Sequence, residues 1–402
     1  MKTKKITALL LSITIALGIV ACKKDEADTT QPTQTTVIET TIETTEEIIP
    51  ETTAAPTEPE DPLIDPNNPN LLNPVTGIQD MDPENEGRRA VSVVVNNCYA
   101  AIPQRGISQA DAIYEYETEG GQTRLLALFA DVNTIPEIGS IRSARVLSSD
   151  LAATNNSIFI HYGRNNRVPD HVWLYSIDHI DGNICSAGQY NSQNYEDGYV
   201  PLSQGLFFWR DSVWYSKRAT EHTAVTDGRH LAEAIEYRQD IEGAGESPRL
   251  FNFVADNSVD IANGEDCMQI NVYFSATNDD ALFTFDPETK LYSKQQYGID
   301  QIDETNGEQI KFTNVLVLFA RIEMNEDKYT IDAYLEDGGT GYYVSDGKIV
   351  NIKWSKPTPN DLITITNMND EEVEVNRGKT YICVVDNDKM DKTTYSATLP
   401  EN

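Results

Sequence analysis

The segment AIYEYETEGGQTRLLALF, residues 112–129, joins two strand-like runs through a pair of glycines. In residues 112–117 apolar and polar side chains alternate, which is typical of a strand. Gly120 and Gly121 suit a tight turn, and residues 123–129 return as a second run of strand-forming residues. We therefore predict a β-hairpin with strands at 112–117 and 123–129.

Shorter sequence patterns before and after this hairpin predict further strands and helices. Residues 91–95 (VSVVV) and 158–160 (IFI) are typical of buried strands. Residues 145–153 have the apolar spacing of a helix, and Asp227 is placed to cap a second helix. Because strands and helices are mixed, we predict an α/β or α+β layer for residues 75–237.

The composition changes beyond Pro248, where Val, Ile, Tyr, Phe and Thr dominate and turn residues are frequent. This pattern predicts strands, at residues 270–274, 282–285, 312–318, 329–334, 341–344, 349–354, 362–365 and 380–384. The predicted fold class is therefore α+β. A mixed α/β N-terminal domain occupies 73–237 and a β-rich C-terminal domain occupies 238–402.

The start of the chain has the pattern of a bacterial lipoprotein signal peptide. Lysines precede an apolar run at 6–20, which is short for a membrane span, and IVAC at 19–22 resembles the lipoprotein processing site. We predict a signal peptide at 1–21 and a diacylated Cys22 that anchors the chain in the cell membrane, on its extracytoplasmic face. The alternative is an ordinary signal peptide in which Cys22 is buried or disulfide-bonded.

The segment that follows is rich in Thr, Glu and Pro and has few large apolar residues. Such a chain buries too little apolar surface to offset the conformational entropy lost on ordering. We predict a disordered acidic tether at 22–72, which proline and like-charge repulsion keep extended.

The overall charge excludes some functions. The chain has 402 residues, with 31 Lys+Arg against 64 Asp+Glu and a net charge of -33. Binding to nucleic acid or to anionic lipid through charge requires an excess of basic residues, so we predict neither. The length favours more than one compact unit, and 8% aromatic residues are enough to build cores.

Several motifs resemble those of the YerB-like lipoproteins, a bacterial family with a domain of unknown function (DUF3048). The most specific is IGSIRSAR at 138–145. The others include NPVTG (73–77), VVVNN (93–97), PQRGISQAD (103–111), EGGQTR (119–124), RD (210–211), EHT (221–223, where the family pattern has Pro-His-Asn), FD (285–286), NV (314–315) and GK (347–348). The resemblance covers nearly all of the chain from residue 73 onward. It implies envelope attachment and a two-domain fold, and it implies no reaction.

Arg124, Arg142 and Arg145 form a positive cluster that is unusual in so acidic a chain. Arg142 and Arg145 are three residues apart, which would place them on one face of a helical turn. Guanidinium groups bind phosphate or carboxylate in a bidentate manner, so one hypothesis is an anion pocket beside Gly120 and Gly121. The alternative, which the neighbouring acids favour, is that the arginines form ion pairs that lock the hairpin to the helix. The acids in question are Asp111, Glu115, Glu117 and Glu119.

Glu117, His161 and His222 are the candidates for acid–base chemistry. His161 lies at the end of a predicted strand and His222 follows Glu221. The alternative for each histidine is a hydrogen bond to the backbone. The five histidines lack the tight spacing of zinc sites, and the chain has no P-loop, dinucleotide or Gly-x-Ser-x-Gly motif. We predict no metal and no cofactor.

Four further cysteines are widely separated: Cys98, Cys185, Cys267 and Cys383. An exported chain allows disulfides, and four cysteines allow three pairings that the sequence does not distinguish. We favour buried thiols.

Two functional hypotheses remain. The first is a membrane-anchored binding module for an anionic component of the cell envelope, an envelope polymer or a partner protein. The second is an envelope hydrolase or transferase, in which Glu117 or His161 is the base and the arginines stabilise developing negative charge. We favour binding because the sequence shows no recognisable nucleophile, and the question of an enzyme stays open.

Overall fold

The computed structural model describes residues 61–183, 207–238, 241, 243–255, 257–278 and 280–399. The predicted signal peptide, Cys22, Cys185 and the tether up to residue 60 lie outside these ranges.

The described helices and strands are as follows. The α-helices are α1 (Val146–Thr154), α2 (Val168–Leu174), α3 (Ser212–Tyr215), α4 (Gly228–Tyr237) and α5 (Val259–Ala262). The strands of the first half are β1 (Val91–Asn96), β2 (Ala112–Glu117), β3 (Thr123–Phe129), β4 (Ile138–Gly139), β5 (Ile158–His161), β6 (His179–Asp181), β7 (Trp209–Arg210) and β8 (Ala224–Thr226).

The strands of the second half are β9 (Phe253–Val254), β10 (Glu265–Asp266), β11 (Gln269–Val272), β12 (Ala281–Asp286), β13 (Leu291–Gln296), β14 (Ile299–Asp300), β15 (Lys311–Phe312), β16 (Asn314–Met324), β17 (Ile331–Tyr334), β18 (Gly339–Ser345), β19 (Lys348–Ser355), β20 (Thr364–Thr366), β21 (Val375–Asn376), β22 (Thr380–Asp386) and β23 (Thr394–Ser396). Short 3-10 helices include Tyr99–Ala101, Glu119–Gly121 and Thr220–His222.

The predicted hairpin is confirmed and lies near the middle of the largest sheet. In the described residues this sheet has the order β10-β19-β18-β16-β22-β2-β3-β1-β5-β6, with β17 and β20 paired to β16 and β19. Strands β2 and β3 are antiparallel, with Ala112 opposite Leu128. Strand β2 also pairs in parallel with β22, so strands from both halves of the chain form one continuous sheet.

Side chains alternate between the two faces of this sheet, and each face carries its own core. On one face Val93, Ile113 and Leu125 pack with residues of a second sheet of order β14-β13-β12-β11-β23. On the other face Val94 and Leu126 pack with residues of α1 and of the loops around β9. The described residues all belong to one compact unit.

A buried ion pair connects the two sheets. Glu115 on β2 and Lys294 on β13 are both completely buried, with Oε2 and Nζ 3.5 Å apart. Burial lowers the pKa of Lys294, and the charge of Glu115 opposes this effect. Glu115 accepts hydrogen bonds from Tyr381 (2.6 Å), Thr123 (2.7 Å) and Asn97 (2.8 Å). Lys294 donates hydrogen bonds to Gln296 (2.5 Å) and Gln301 (2.7 Å).

The structure agrees with most predicted elements and differs at some boundaries. It is rich in strands, and the predicted strands of the second half are present, with shifted ends. Asp227 caps α4 as predicted, because its side chain accepts a hydrogen bond from the backbone of His230 (2.8 Å). Cys98, Cys267 and Cys383 are buried thiols, as we favoured for these three.

The last part of the predicted tether contacts the folded chain. Leu63 is only 4% exposed, Leu71 forms a bridge with Met81, and Asp61 pairs with Arg249. In residues 61–72 the structure therefore differs from the prediction of a disordered segment. The reason is that Leu63 and Leu72 of this segment pack in the core that contains Val94 and Leu126.

Candidate anion-binding site

Four arginines converge at the start of β3, and we call Arg124, Arg142, Arg145 and Arg210 the arginine cluster. Arg124 lies on β3 directly opposite Asn96 of β1. Arg142 lies between β4 and α1, Arg145 is the N-cap residue of α1, and Arg210 ends β7. The cluster therefore includes all three arginines predicted from the sequence, together with one from a distant segment.

The backbone between Arg142 and Arg145 is extended, so the prediction that these two residues share a helical face is wrong. The N–H of Arg142 donates to the carbonyl of Val94, and the N–H of Ala144 donates to that of Gly163, both at 2.9 Å. Arg145 has φ -123° and ψ 162°, and the helix begins at the next residue. Pairing with the ends of β1 and β5 replaces the expected first helical turn.

Arg145 forms an ion pair with an acid of the hairpin, which is the second of the two hypotheses for the arginines. Its Nε lies 2.5 Å from Oε1 of Glu119, in the turn between β2 and β3. Gly120 and Gly121 of that turn have φ of 72° and 73°, and a Cβ on Gly121 would lie 2.8 Å from Oγ of Ser275. The two glycines therefore shape the turn that presents Glu119 to Arg145.

Arg124 is not neutralised in this way. Its side chain is nearly buried, 7% exposed, and it donates to the backbone carbonyl of Ser143. Burial, and then the positive charges of Arg145 and Arg142, lower the pKa of Arg124 to about 9. Among the described residues no carboxylate forms an ion pair with it.

Arg142 and Arg210 carry buried donors that have no partner. The Nε atoms of both residues are buried without a hydrogen bond within the described part of the chain. The terminal nitrogens bond to backbone carbonyls: Arg142 to Glu221 (3.4 Å) and Arg210 to Thr220. The buried Nε groups are closed to a ligand, so the terminal nitrogens, which lie at exposed hydrogen bonds, are the groups that an anion would contact.

His222 lies beside Arg142 and forms a hydrogen bond with Asn96. Oδ1 of Asn96 accepts from the backbone of Cys98 (3.3 Å), so the amide nitrogen of Asn96 faces His222 and donates to Nδ1 (2.7 Å). Burial and the charge of Arg142 lower the pKa of His222. The Sγ atom of Cys98 is 4.0 Å from the same Nδ1.

The other predicted acid–base residues have different partners. Glu117 forms an ion pair with Lys389, and burial raises its pKa. Strand β2, which carries Glu117, is three positions from β5, which carries His161. His161 is completely buried, with Nδ1 bonded to the carbonyl of Gly163 (2.9 Å) and Nε2 to His179 (3.0 Å). The structure therefore does not place Glu117 and His161 together beside the arginines.

Asp111 lies at the start of β2, at the opposite end of the strand from the arginine cluster. Its carboxylate accepts hydrogen bonds from the backbone of Ala130 (2.8 Å) and from Asn73 (3.0 Å). Burial raises the pKa of Asp111 to about 6, against the opposing effects of these hydrogen bonds and of Lys379. A pKa higher in the folded state gives stability that is complete below about pH 4 and is lost as the pH rises through about 6.

We expect Asp111→Asn to gain stability relative to the unsubstituted protein as the pH rises from 5 to 7.5, by about 1–3 kcal/mol. The amide has no charge to bury, so it avoids the penalty that the carboxylate acquires. Urea unfolding at both pH values measures the difference. Asp170→Asn, at an exposed position, controls for the change in net charge. A difference between Asp111→Asn and the parent that is constant with pH would contradict the assignment.

Two grooves in the described part of the chain have linings that do not include the arginine cluster. A groove of about 540 Å³ lies between α4 and residues 86–89, and another of about 490 Å³ lies beside α2. Within the described ranges no group of three or more His, Cys, Asp or Glu residues is arranged to hold a metal ion.

Sequence reasoning missed three members of this site. Arg210, Asn96 and Cys98 were not among the predicted site residues, although Arg210 and Asn96 fall inside two of the motifs, RD and VVVNN. These two motifs could have indicated that Asn96 and Arg210 belong to the site. The spacing between residues 96 and 210 could not, because they are far apart in the sequence.

Comparison with known proteins identifies the family. Residues 75–242 match the N-terminal domain, and residues 270–382 the C-terminal domain, of a protein of unknown function, DUF3048. The chain belongs to the DUF3048 family. The whole arginine cluster is thus contained in the N-terminal DUF3048 domain, and β22, which pairs with β2 in the shared sheet, begins in the C-terminal one and extends beyond its matched range.

One relative and one solved structure extend this comparison. The chain is 26% identical over 289 residues to "Putative lipoprotein YerB" of Bacillus subtilis (strain 168), covering 71% of this chain and 78% of the relative. It also resembles the crystal structure of the YerB protein from Bacillus subtilis, with a TM-score of 0.63 and 24% identity, over 80% of this chain and 98% of the other. This likeness confirms the resemblance to YerB-like proteins and the strand-rich DUF3048 fold. No helix in the described part of the DUF3048 chain has the length and apolar character needed to span a bilayer.

Proposed function

We propose that this DUF3048 protein is an envelope lipoprotein, anchored by acylated Cys22 on the extracytoplasmic face of the membrane, that binds an anionic envelope component. The IVAC motif at 19–22 and the lipoprotein name of the YerB relative support the anchor. The arginine cluster supports the binding role, and its ligand would be an envelope polymer or an acidic group of a partner protein.

The charge balance of the site favours an anion. Glu119 and Glu221 are carboxylates that interact with the four guanidinium groups, and Glu119 already forms an ion pair with Arg145. Arg124 and Arg142 both have lowered pKa values, partly because they repel their positive neighbours. A bound oxyanion would relieve this repulsion and supply acceptors for several donors at once.

The observation that carries the proposal is the convergence of Arg124, Arg142 and Arg210, none of which forms an ion pair with a carboxylate among the described residues. Ion pairs with carboxylates would explain a purely structural cluster, but within the part of the chain that the structure describes they account only for Arg145. Binding is favoured over hydrolysis because Glu117 and His161 are engaged by other partners, and Nδ1 of His222 is occupied by Asn96.

We expect Arg142→Ala and Arg210→Ala each to weaken the binding of inorganic phosphate about tenfold or more, because each removes a charged donor from the site. Isothermal titration of the full-length chain in detergent at low salt measures the effect. Sodium acetate, titrated in parallel, distinguishes a site for phosphate from one for carboxylate.

Arg229→Ala is the matched control, since Arg229 lies on α4, is 67% exposed and pairs with Glu233. It makes the same change in charge away from the site and should leave binding unchanged. Equal losses in Arg142→Ala and Arg229→Ala, or the absence of saturable binding of both anions, would refute the proposal.

A further inference from the structure

An exposed tryptophan stands beside a polar groove that the arginine cluster does not use. Helix α2 buries Val168 and Val172 against the core, whereas Trp173 is 82% exposed. After Trp173 the chain turns sharply, with Ser176 at φ 53° and the N–H of Ile177 bonded to the carbonyl of Val172 (2.9 Å). This turn leads into β6, the last strand at one end of the main sheet, so the indole stands at the rim of the groove formed there.

The groove has a volume of about 490 Å³, within the size range of small-molecule sites. Besides Trp173 its lining includes Arg164, Ser176, Asp178, His179 and Arg238. It therefore combines one large aromatic surface with a hydroxyl, a carboxylate, an imidazole and two guanidinium groups.

The polar groups are held at the wall of the groove by ion pairs. Arg164 pairs with Asp181, and Asp178 pairs with Arg89. A guanidinium has five N–H donors and a carboxylate about four acceptor sites, so each group keeps hydrogen-bonding capacity after pairing. Orientation by neighbours reduces the entropy lost when such groups bind a ligand.

We propose that this groove binds the rings of a neutral pyranose glycan, with Trp173 stacked on a sugar face. A pyranose with equatorial substituents has a flat C–H face that suits an indole, and hydroxyl groups at its edge that need both donors and acceptors. The groove supplies that combination: an aromatic platform with donors from Arg164 and acceptors from Asp178 and Ser176. A purely apolar partner would leave the remaining hydrogen-bonding capacity of these charged groups unsatisfied, which disfavours it.

Titration of the full-length chain in detergent with chitotetraose and with cellotetraose tests the proposal. We expect saturable binding of at least one of the two, weakened about tenfold or more by Trp173→Ala and largely restored by Trp173→Phe. Tyr329→Ala is the matched control, because Tyr329 is an aromatic residue that is 67% exposed on another part of the chain.

The outcome is separable from that of the arginine cluster. Arg142→Ala should leave sugar binding unchanged, and Trp173→Ala should leave phosphate binding unchanged. Absence of binding to both sugars, or equal loss in Trp173→Ala and Tyr329→Ala, would overturn the proposal. Self-association in sedimentation that is abolished by Trp173→Ala, with no sugar binding, would instead assign the groove to a protein contact and likewise overturn it.

Discussion

We expect Lys294→Met to lower the free energy of unfolding by about 3–5 kcal/mol, the cost of removing one partner from a buried ion pair. The substitution keeps a long side chain but leaves the Glu115 carboxylate without its cation, in a site where both groups are completely buried. It also leaves the side-chain oxygens of Gln296 and Gln301 without the donor that they share. Urea denaturation of the full-length chain, followed by circular dichroism, measures the loss.

A double-mutant cycle shows whether the effect comes from the pair. Adding Glu115→Gln to Lys294→Met removes the stranded charge, so the double variant should be more stable than the sum of the single losses by about 1–3 kcal/mol. Lys290→Met is the surface control, since Lys290 is 65% exposed beside Asp346, and it should change stability by less than about 1 kcal/mol. Additive losses in the cycle would show that Lys294 and Glu115 act independently.

Cys22→Ser is expected to move the protein from the membrane fraction to the soluble fraction almost completely. Serine has no thiol for acylation, and without acyl chains only the short apolar run at 6–20 is left to hold the chain. Fractionation after high-salt washing, followed by immunoblotting, measures the distribution.

Cys98→Ser is the control for this experiment, because it makes the same chemical change at a buried thiol of the folded part. It should remain in the membrane fraction. Metabolic labelling with a palmitate analogue should mark the parent and Cys98→Ser but not Cys22→Ser. A Cys22→Ser protein that stays firmly membrane-bound would contradict lipid anchoring.

Sequence patterns predicted the helices and strands that depend mainly on the properties of neighbouring residues. The strands of the hairpin at 112–117 and 123–129 were predicted to the residue, because alternation and a glycine turn are properties of neighbouring positions. The pairing of β2 with β22 was beyond such reasoning, since Ala112 and Thr380 are brought together by the sheet as a whole. A buried strand in a shared sheet has the same local signature as one in a separate domain.

The sequence also predicted only part of the candidate site, because the rest depends on tertiary contacts. The excess of acidic residues made Arg124, Arg142 and Arg145 conspicuous, and the structure brings all three together. Their roles depend on tertiary contacts: Glu119 neutralises Arg145, whereas Arg124 lies against the Ser143 carbonyl. The helical spacing assumed for Arg142 failed because a hydrogen bond to Val94 holds that segment extended.

The parallel pairing of β2 with β22 has a consequence for how the protein is made. Because a chain is synthesised from its N-terminus, β1, β2 and β3 are present long before Thr380–Asp386. Until then one edge of β2 has unsatisfied backbone groups that could recruit a strand from another molecule. Completion of the sheet must therefore wait until nearly the whole chain has been made, and a product truncated before β22 would keep an open edge on β2.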